Sequence, residues 1–237
     1  MIRHAFPVVA HFDWAVAVTF AAPRGNLERL VAPGLTLDAD GPNGFLAAAC
    51  VATRGLRPAG LPRVFGTDFF LAGYRIFTRF MSEEGEQYRG LQILASETDR
   101  WPMVAAGRLL THYGYRHCRV RVERTEERIA ISTSSGLEIE ALAHSSALPP
   151  ESVFGTWDEA RRYAGPAPYT FAAEDGRIVC VRGARTNWKP RPIGLVRARA
   201  PLLETLAGTT LTPAAAFLVE NVDYRWERAF RRRPARP

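Results

Sequence analysis

Hydrophobic and polar positions alternate with a period of two along much of this chain. Phe12, Trp14, Val16, Val18 and Phe20 fall on one face, which predicts a strand. Gly44 to Thr53 predicts another, entered through the turn Asp40-Gly41-Pro42-Asn43. Thr67 to Met81 and Tyr88 to Thr98 flank Glu83-Glu84-Gly85-Glu86 and predict a hairpin. Tyr115 to Arg124 with Arg128 to Ser134 predict a second hairpin, followed by a strand from Leu137 to His144. Tyr169 to Ala172 and Ile178 to Arg182 flank Glu174-Asp175-Gly176, and Ile193 to Ala200 and Phe217 to Trp226 read as closing strands.

Helical spacing is confined to short stretches. Asn26 to Ala32 has Asn26 as its N-cap and Gly34 at its end. Trp101 to Thr111 is the clearest helix, with Asp99 placed to cap it and Pro102 in its first turn. Thr156 to Tyr163 begins with a capping box, Thr156 with Glu159. Arg54 to Gly66, rich in Gly, Pro and Arg, reads as a surface loop of the functional kind. The predicted fold class is mainly β with a few short helices, a barrel or sandwich rather than a parallel α/β sheet.

Composition bounds this picture. The 237 residues, 47% of them hydrophobic, suit one domain over 1–228, with 229–237 expected as a disordered basic tail. No apolar run reaches the roughly 18 residues of a spanning helix, and the first residues lack the pattern of a cleaved leader, so the expectation is a cytoplasmic protein. Cys50, Cys118 and Cys180 have neither disulfide-framework nor zinc spacing. The net charge of +7 draws four of its charges from Arg231, Arg232, Arg233 and Arg236. No strand interleaves aromatic and basic residues as an RNA-reading sheet does, so no nucleic-acid partner is expected.

Candidate chemistry gathers around Gly107 to Val120. Parity along a strand from Tyr115 puts Arg116 on the apolar face of Cys118, Val120 and Val122, so its guanidinium would enter the barrel mouth. On the preceding strand Leu91, Ile93 and Ala95 share a face that Glu97 continues. An Arg116–Glu97 pair is therefore expected, either as a buried salt bridge fixing register or as an anion clamp. His112, His117 and Tyr115 are candidate proton-transfer groups. Arg75 shares a face with Arg79, Phe77 and Met81; it is a candidate ligand-binding residue near the mouth or part of a snorkelling exposed face. Lys189, the chain's lone lysine, lies in the Pro-flanked stretch Asn187-Trp188-Lys189-Pro190, which reads as exposed loop. No phosphate loop, serine elbow or zinc helix is present, and no cofactor or metal is expected.

Several stretches together resemble a known family. Leu27 to Asp38, the loop Arg54-Gly55-Leu56-Arg57-Pro58-Ala59-Gly60-Leu61-Pro62, the segment Gly107 to Val120, and Trp188 with Pro190 are similar to motifs of the YqjF-like bacterial proteins. That resemblance implies the acetoacetate decarboxylase-like fold, a twisted, partly closed antiparallel β barrel with a central cavity. In the decarboxylases two consecutive lysines follow a Gly-x-Pro turn and the first forms a Schiff base; the matching positions here are Tyr115 and Arg116. The family's Tyr-His becomes Tyr115-Arg116, with histidine displaced to 117, and Leu71 and Gly73 replace a polar Glu and Asn.

The resulting expectation is a cavity for a small anionic metabolite, with Arg116, Glu97 and Arg75 as ligand-binding residues. Tyr115, Arg116, His112 and His117 are the candidates for a cofactor-free lyase, isomerase or hydrolase that makes no Schiff base. The alternative is a non-catalytic protein docking an acidic partner or membrane surface through its basic loop and tail.

Overall fold

A computed structural model describes residues 3–235. The chain begins with strand β1 (Val8–Pro23), helix α1 (Arg24–Glu28), β2 (Thr36–Leu37) and β3 (Asn43–Pro58). The hairpin of β4 (Thr67–Met81) and β5 (Gln87–Thr98) leads into helix α2 (Trp101–Leu110). Strands β6 (Tyr115–His117), β7 (Val120–Arg124), β8 (Arg128–Thr133) and β9 (Glu138–Leu142) follow. Helix α3 (Trp157–Ala160), β10 (Tyr169–Glu174), β11 (Arg177–Arg185), β12 (Arg191–Pro192) and β13 (Gly194–Arg199) come next. Helix α4 (Pro201–Ala207), β14 (Thr212–Trp226) and β15 (Phe230–Arg232) complete the order.

The large sheet closes on itself. Its strands run β14-β1-β3-β4-β5-β10-β11, and Gly183 to Arg185 of β11 pair back onto Tyr224 to Trp226 of β14. All these neighbours are antiparallel except β5 and β10, which run parallel. Closure leaves few free edges in the ring.

A second sheet, β13-β9-β8-β7, covers part of the outer surface. Its buried Ile129, Ile131 and Ile139 pack with Trp14, Val16, Cys50, Ala72 and Tyr74. Strand β1 is therefore apolar on both faces: from Trp14 onward its even residues pack with the second sheet, while Ala15, Ala17 and, before a register shift, Phe12 look into the ring.

Several local expectations change. The first helix is one turn long and Asn26 does not cap it; its amide donates to the Ala207 carbonyl at 3.2 Å. Asp99 does not cap α2 either, because its carboxylate accepts the Phe70 amide at 2.9 Å and ties the helix entrance to β4. Pro102 sits in the first turn, and the Thr156–Glu159 capping box is formed. The first half of the expected loop after Arg54 is a continuation of β3.

The basic segment from 229 also differs from expectation. Phe230–Arg232 pair with β11, the Glu83 amide donates to the Arg233 carbonyl at 3.0 Å, and the Ala235 amide to Met81 at 2.9 Å. Arg236 and Pro237 lie outside the described residues. Among the described residues no helix is long and apolar enough to cross a membrane.

The parallel junction of β5 and β10 depends on Gly90, which stands opposite Tyr169. A Cβ there would lie 2.6 Å from the Tyr169 carbonyl oxygen and inside the Phe171 ring. Gly90→Ala should therefore lower the unfolding free energy measured in urea by about 1–3 kcal/mol.

Candidate functional site

The ring encloses a hollow because one belt of inward positions carries small side chains. Ala17 of β1 pairs with Ala49 of β3, Ala49 with Gly73 of β4, and Gly73 with Ser96 of β5. Phe217 and Tyr115 terminate this belt, opposite Ala17 and Ser96 respectively. The chamber has about 70 Å³ open to the centre of a water-sized sphere. One water needs at least roughly 10–15 Å³ by that measure, so the space suits about five waters or a small organic acid. Its walls are largely apolar, with Val51, Leu71, Leu91, Val219 and Trp188 among them.

Arg75 is the charge in this chamber. It follows Leu71 and Gly73 on the inward side of β4 and lines the hollow. Gly73 gives it room, since a Cβ there would stand 3.2 Å from the guanidinium Nε. That Nε is buried without a hydrogen-bond partner. The ionisable groups closest in effect are Tyr224, Tyr113, Tyr115 and Cys50, with no carboxylate among them. Burial accordingly pushes the Arg75 pKa down, although the tyrosines work against the shift. Arginine stays charged under physiological conditions, so the chamber holds a cation whose counter-ion the described residues do not supply.

Three tyrosines surround this charge. Tyr115, on the short β6, is buried, and its phenol is pushed up to about 12 by burial, with Arg75 pulling the other way. Gly107 of α2 makes its place, because any Cβ there would run into the Tyr115 ring. Gly183 does the same for Tyr224, whose pKa burial also raises. Tyr113 shares a 2.7 Å hydrogen bond with the Thr170 hydroxyl, fixing it against β10. At neutral pH these phenols keep their protons and offer O–H donors.

Residues 11–223 match the sequence pattern of the DUF2071 family, described as an uncharacterised conserved protein. The chain belongs to this family. Curated protein sequences offer no match. Among solved structures, an acetoacetate decarboxylase-like enzyme from Sphingomonas wittichii RW1 is similar, with 12% identity and a TM-score of 0.61 over 97% of this chain and 94% of that one. An acetoacetate decarboxylase is 15% identical with a TM-score of 0.62, covering 95% and 88%. The enduracididine biosynthesis enzyme MppR, complexed with pyruvate, is 12% identical with a TM-score of 0.53, covering 95% and 89%. These likenesses establish that this DUF2071 chain has the acetoacetate decarboxylase-like fold.

The same geometry corrects the charged pair read from parity. Arg116 is exposed and does not line the chamber. Its strand stops at His117, before Cys118 and Arg119, and β7 belongs to the second sheet, so alternation cannot be carried from Val120 back to Arg116.

Glu97, only 4% exposed, is displaced by a β-bulge: Tyr74 pairs with Ala95 but Arg75 with Ile93, leaving Leu94 as the extra residue. Leu91 and Ile93 therefore face the chamber while Ala95 and Glu97 face the second sheet. There Glu97 accepts hydrogen bonds from the Tyr74 hydroxyl at 2.7 Å and the Ser135 hydroxyl at 2.6 Å. Although Glu97 and Arg116 are register partners, no ion pair joins them among the described residues.

The histidines of this DUF2071 chain lie outside the hollow. His117 stacks flat on the exposed Trp101, with ring centroids 4.3 Å apart. His112 contacts Glu174 through Nε2 at 3.0 Å and stacks on His4, and Glu174 also accepts from Arg231 at 2.8 Å. His4 in turn touches Tyr113, so this network buttresses the wall without entering the chamber. Lys189 is exposed and is not among the lining residues. Sequence reading named Arg75 and Tyr115 but missed Tyr224, Thr170 and Trp188; an arginine two positions from a glycine in the apolar middle of a strand was the signal available.

Two outcomes follow. Arg75→Met should raise the urea-unfolding free energy of the ligand-free protein by about 1–3 kcal/mol, because an uncompensated buried donor is removed. His4 has its pKa lowered from 6.5 to about 4, by burial first and then by His112 and Arg231. The unfolded chain takes up that proton first, so this stability is present at neutral pH and is lost as the pH falls from about 6.5 towards 4. His4→Phe should flatten that part of the stability–pH curve.

Proposed function

We propose that this protein binds a small carboxylate-bearing metabolite in the enclosed chamber, with Arg75 as the counter-charge. The observation that carries the reading is a partly buried Arg75 that lines a hollow of metabolite size, its Nε shielded and without a partner. A planar guanidinium can hold a carboxylate through two parallel hydrogen bonds, and burial strengthens such a pair. MppR, a protein of similar fold, is complexed with pyruvate, which lends support to a keto acid as the kind of ligand.

If the ligand is turned over, Tyr115 and Tyr224 are the groups placed to act. Their protonated phenols would donate to a substrate carbonyl and to the enolate oxygen that develops there. Such chemistry suits a cofactor-free lyase, isomerase or hydrolase. Tyr115 occupies the position where the decarboxylase resemblance places the imine-forming lysine, and the exposed setting of Lys189 speaks against imine formation. The docking alternative is weakened because Arg231 is engaged with Glu174, and Arg54 with Asp13 and Asp68.

A thermal-shift and calorimetric screen of small keto acids and simple carboxylates tests the reading. A ligand at a hundredfold excess over its Kd should stabilise the wild type by about 2.7 kcal/mol. Arg75→Met should lose that response, and Arg116→Ala should keep it. Equal responses in wild type and Arg75→Met would overturn the assignment. Borohydride treatment with a bound keto acid should leave Lys189 unmodified by mass spectrometry.

A further inference from the structure

The inner chamber has a neighbour. An outer pocket of about 280 Å³, by the same measure, adjoins it, and Leu71, Tyr113, Tyr115 and Trp226 belong to the walls of both. The two spaces thus meet at those side chains. Tyr115 is the pivotal one, since its ring packs against Gly107 on the outer side and lines the inner chamber on the other.

The outer pocket has a different chemistry. Phe69, Met103 and Leu110 line it, with Leu56 nearby. Its rim carries Phe65, 66% exposed, and Phe6, 38% exposed. Of the charged residues at its border, Glu227 is paired with Arg225, while Arg57 donates to the carbonyls of Leu61 and Gly55, which hold the guanidinium in place without neutralising it. The interior of the pocket is therefore apolar, with the Arg57 cation at its border, and it leaves aromatic surface in water.

We infer that the ligand is an amphipathic monocarboxylate whose head meets Arg75 and whose alkyl or aryl tail passes the Tyr113–Tyr115 partition into the outer pocket. This rests on the carboxylate reading of the inner chamber and specifies its substrate class. The inner space alone, at about five water volumes, accommodates a carboxylate and a few carbons. Longer chains have one apolar place to go, and Met103 there is a side chain that adapts to varied tails. A second charge set among those apolar walls, rather than at the Arg57 border, is disfavoured.

The test is a calorimetric titration of the full chain at constant ionic strength, with pyruvate, butanoate, hexanoate, octanoate and 3-phenylpropanoate. Affinity should rise about fourfold for each added methylene, the equivalent of about 0.8 kcal/mol per buried CH2. Adipate should bind no better than pyruvate. Phe65→Asp alters an exposed rim position, so the fold is kept, and it should weaken octanoate and 3-phenylpropanoate while sparing pyruvate. Met103→Trp should do the same by filling the pocket, with its melting curve confirming a folded protein.

Binding of all lengths with equal affinity, abolished in Arg75→Met, would overturn the tail assignment and leave the carboxylate reading standing. Loss of pyruvate and octanoate alike in Phe65→Asp would also overturn it, as would an altered oligomeric state with an unchanged chain-length profile. Absence of binding by any carboxylate would sink the underlying reading itself.

Discussion

A guanidinium held inside a ring of strands, with no carboxylate paired to it among the described residues, sets the terms for the rest of this molecule. Moving a charge out of water is unfavourable by several kcal/mol after relaxation, and a nearby acid ordinarily offsets it. Glu97, on the neighbouring strand β5, is turned to the other face of the sheet and satisfied by Tyr74 and Ser135. The remaining compensation around Arg75 comes from phenol dipoles. The apolar strands around Arg75 raise the cost of that charge, and the packing on both faces of the closed ring has to offset it.

That closure also organises the chamber's walls. Strand β14 pairs with β1 along most of its length and with β11 at its end, so Tyr224 and Trp226 are fixed where the ring seals. Around Tyr113 the support is polar: Thr170 holds its hydroxyl, while His4, His112, Glu174 and Arg231 form a bracket behind it. The bracket joins the first described residues to β15 across one wall. Precise placement of the phenols thus depends on segments distant in sequence.

Much of the fold was legible from alternation. The hairpin of β4 and β5, the long strand from Phe12, the Thr156 capping box and the resemblance through Leu27 to Asp38 all pointed to a closed β architecture. The site was less so, for a specific reason. Parity assigns a face only while the strand is regular, and two irregularities intervene: the extra residue Leu94 in β5, and the break at Cys118 that hands the chain from one sheet to the other. Each inverts the face of what comes next to it, which reversed the reading of both Glu97 and Arg116. Neither Leu94 nor Cys118 belongs to a residue type that announces such a break. Arg75, by contrast, lies upstream of both irregularities on an uninterrupted strand, where alternation from Leu71 and Gly73 holds.

Around Gly73, the belt positions Ala17, Ala49 and Ser96 give the scaffold a way to change its preference without disturbing its charge. Each of these four residues sits on a different strand at one level of the ring, and none contributes the guanidinium or a phenol. Adding one or two carbons at Ala17, Ala49 or Ser96 would shrink or reshape the hollow while leaving head-group recognition in place, whereas a Cβ at Gly73 would press on the Arg75 guanidinium. Relatives that keep the arginine but differ along this belt should therefore share a chemical handle and diverge in the bulk they admit, so that selectivity drifts along a single circumference of the ring.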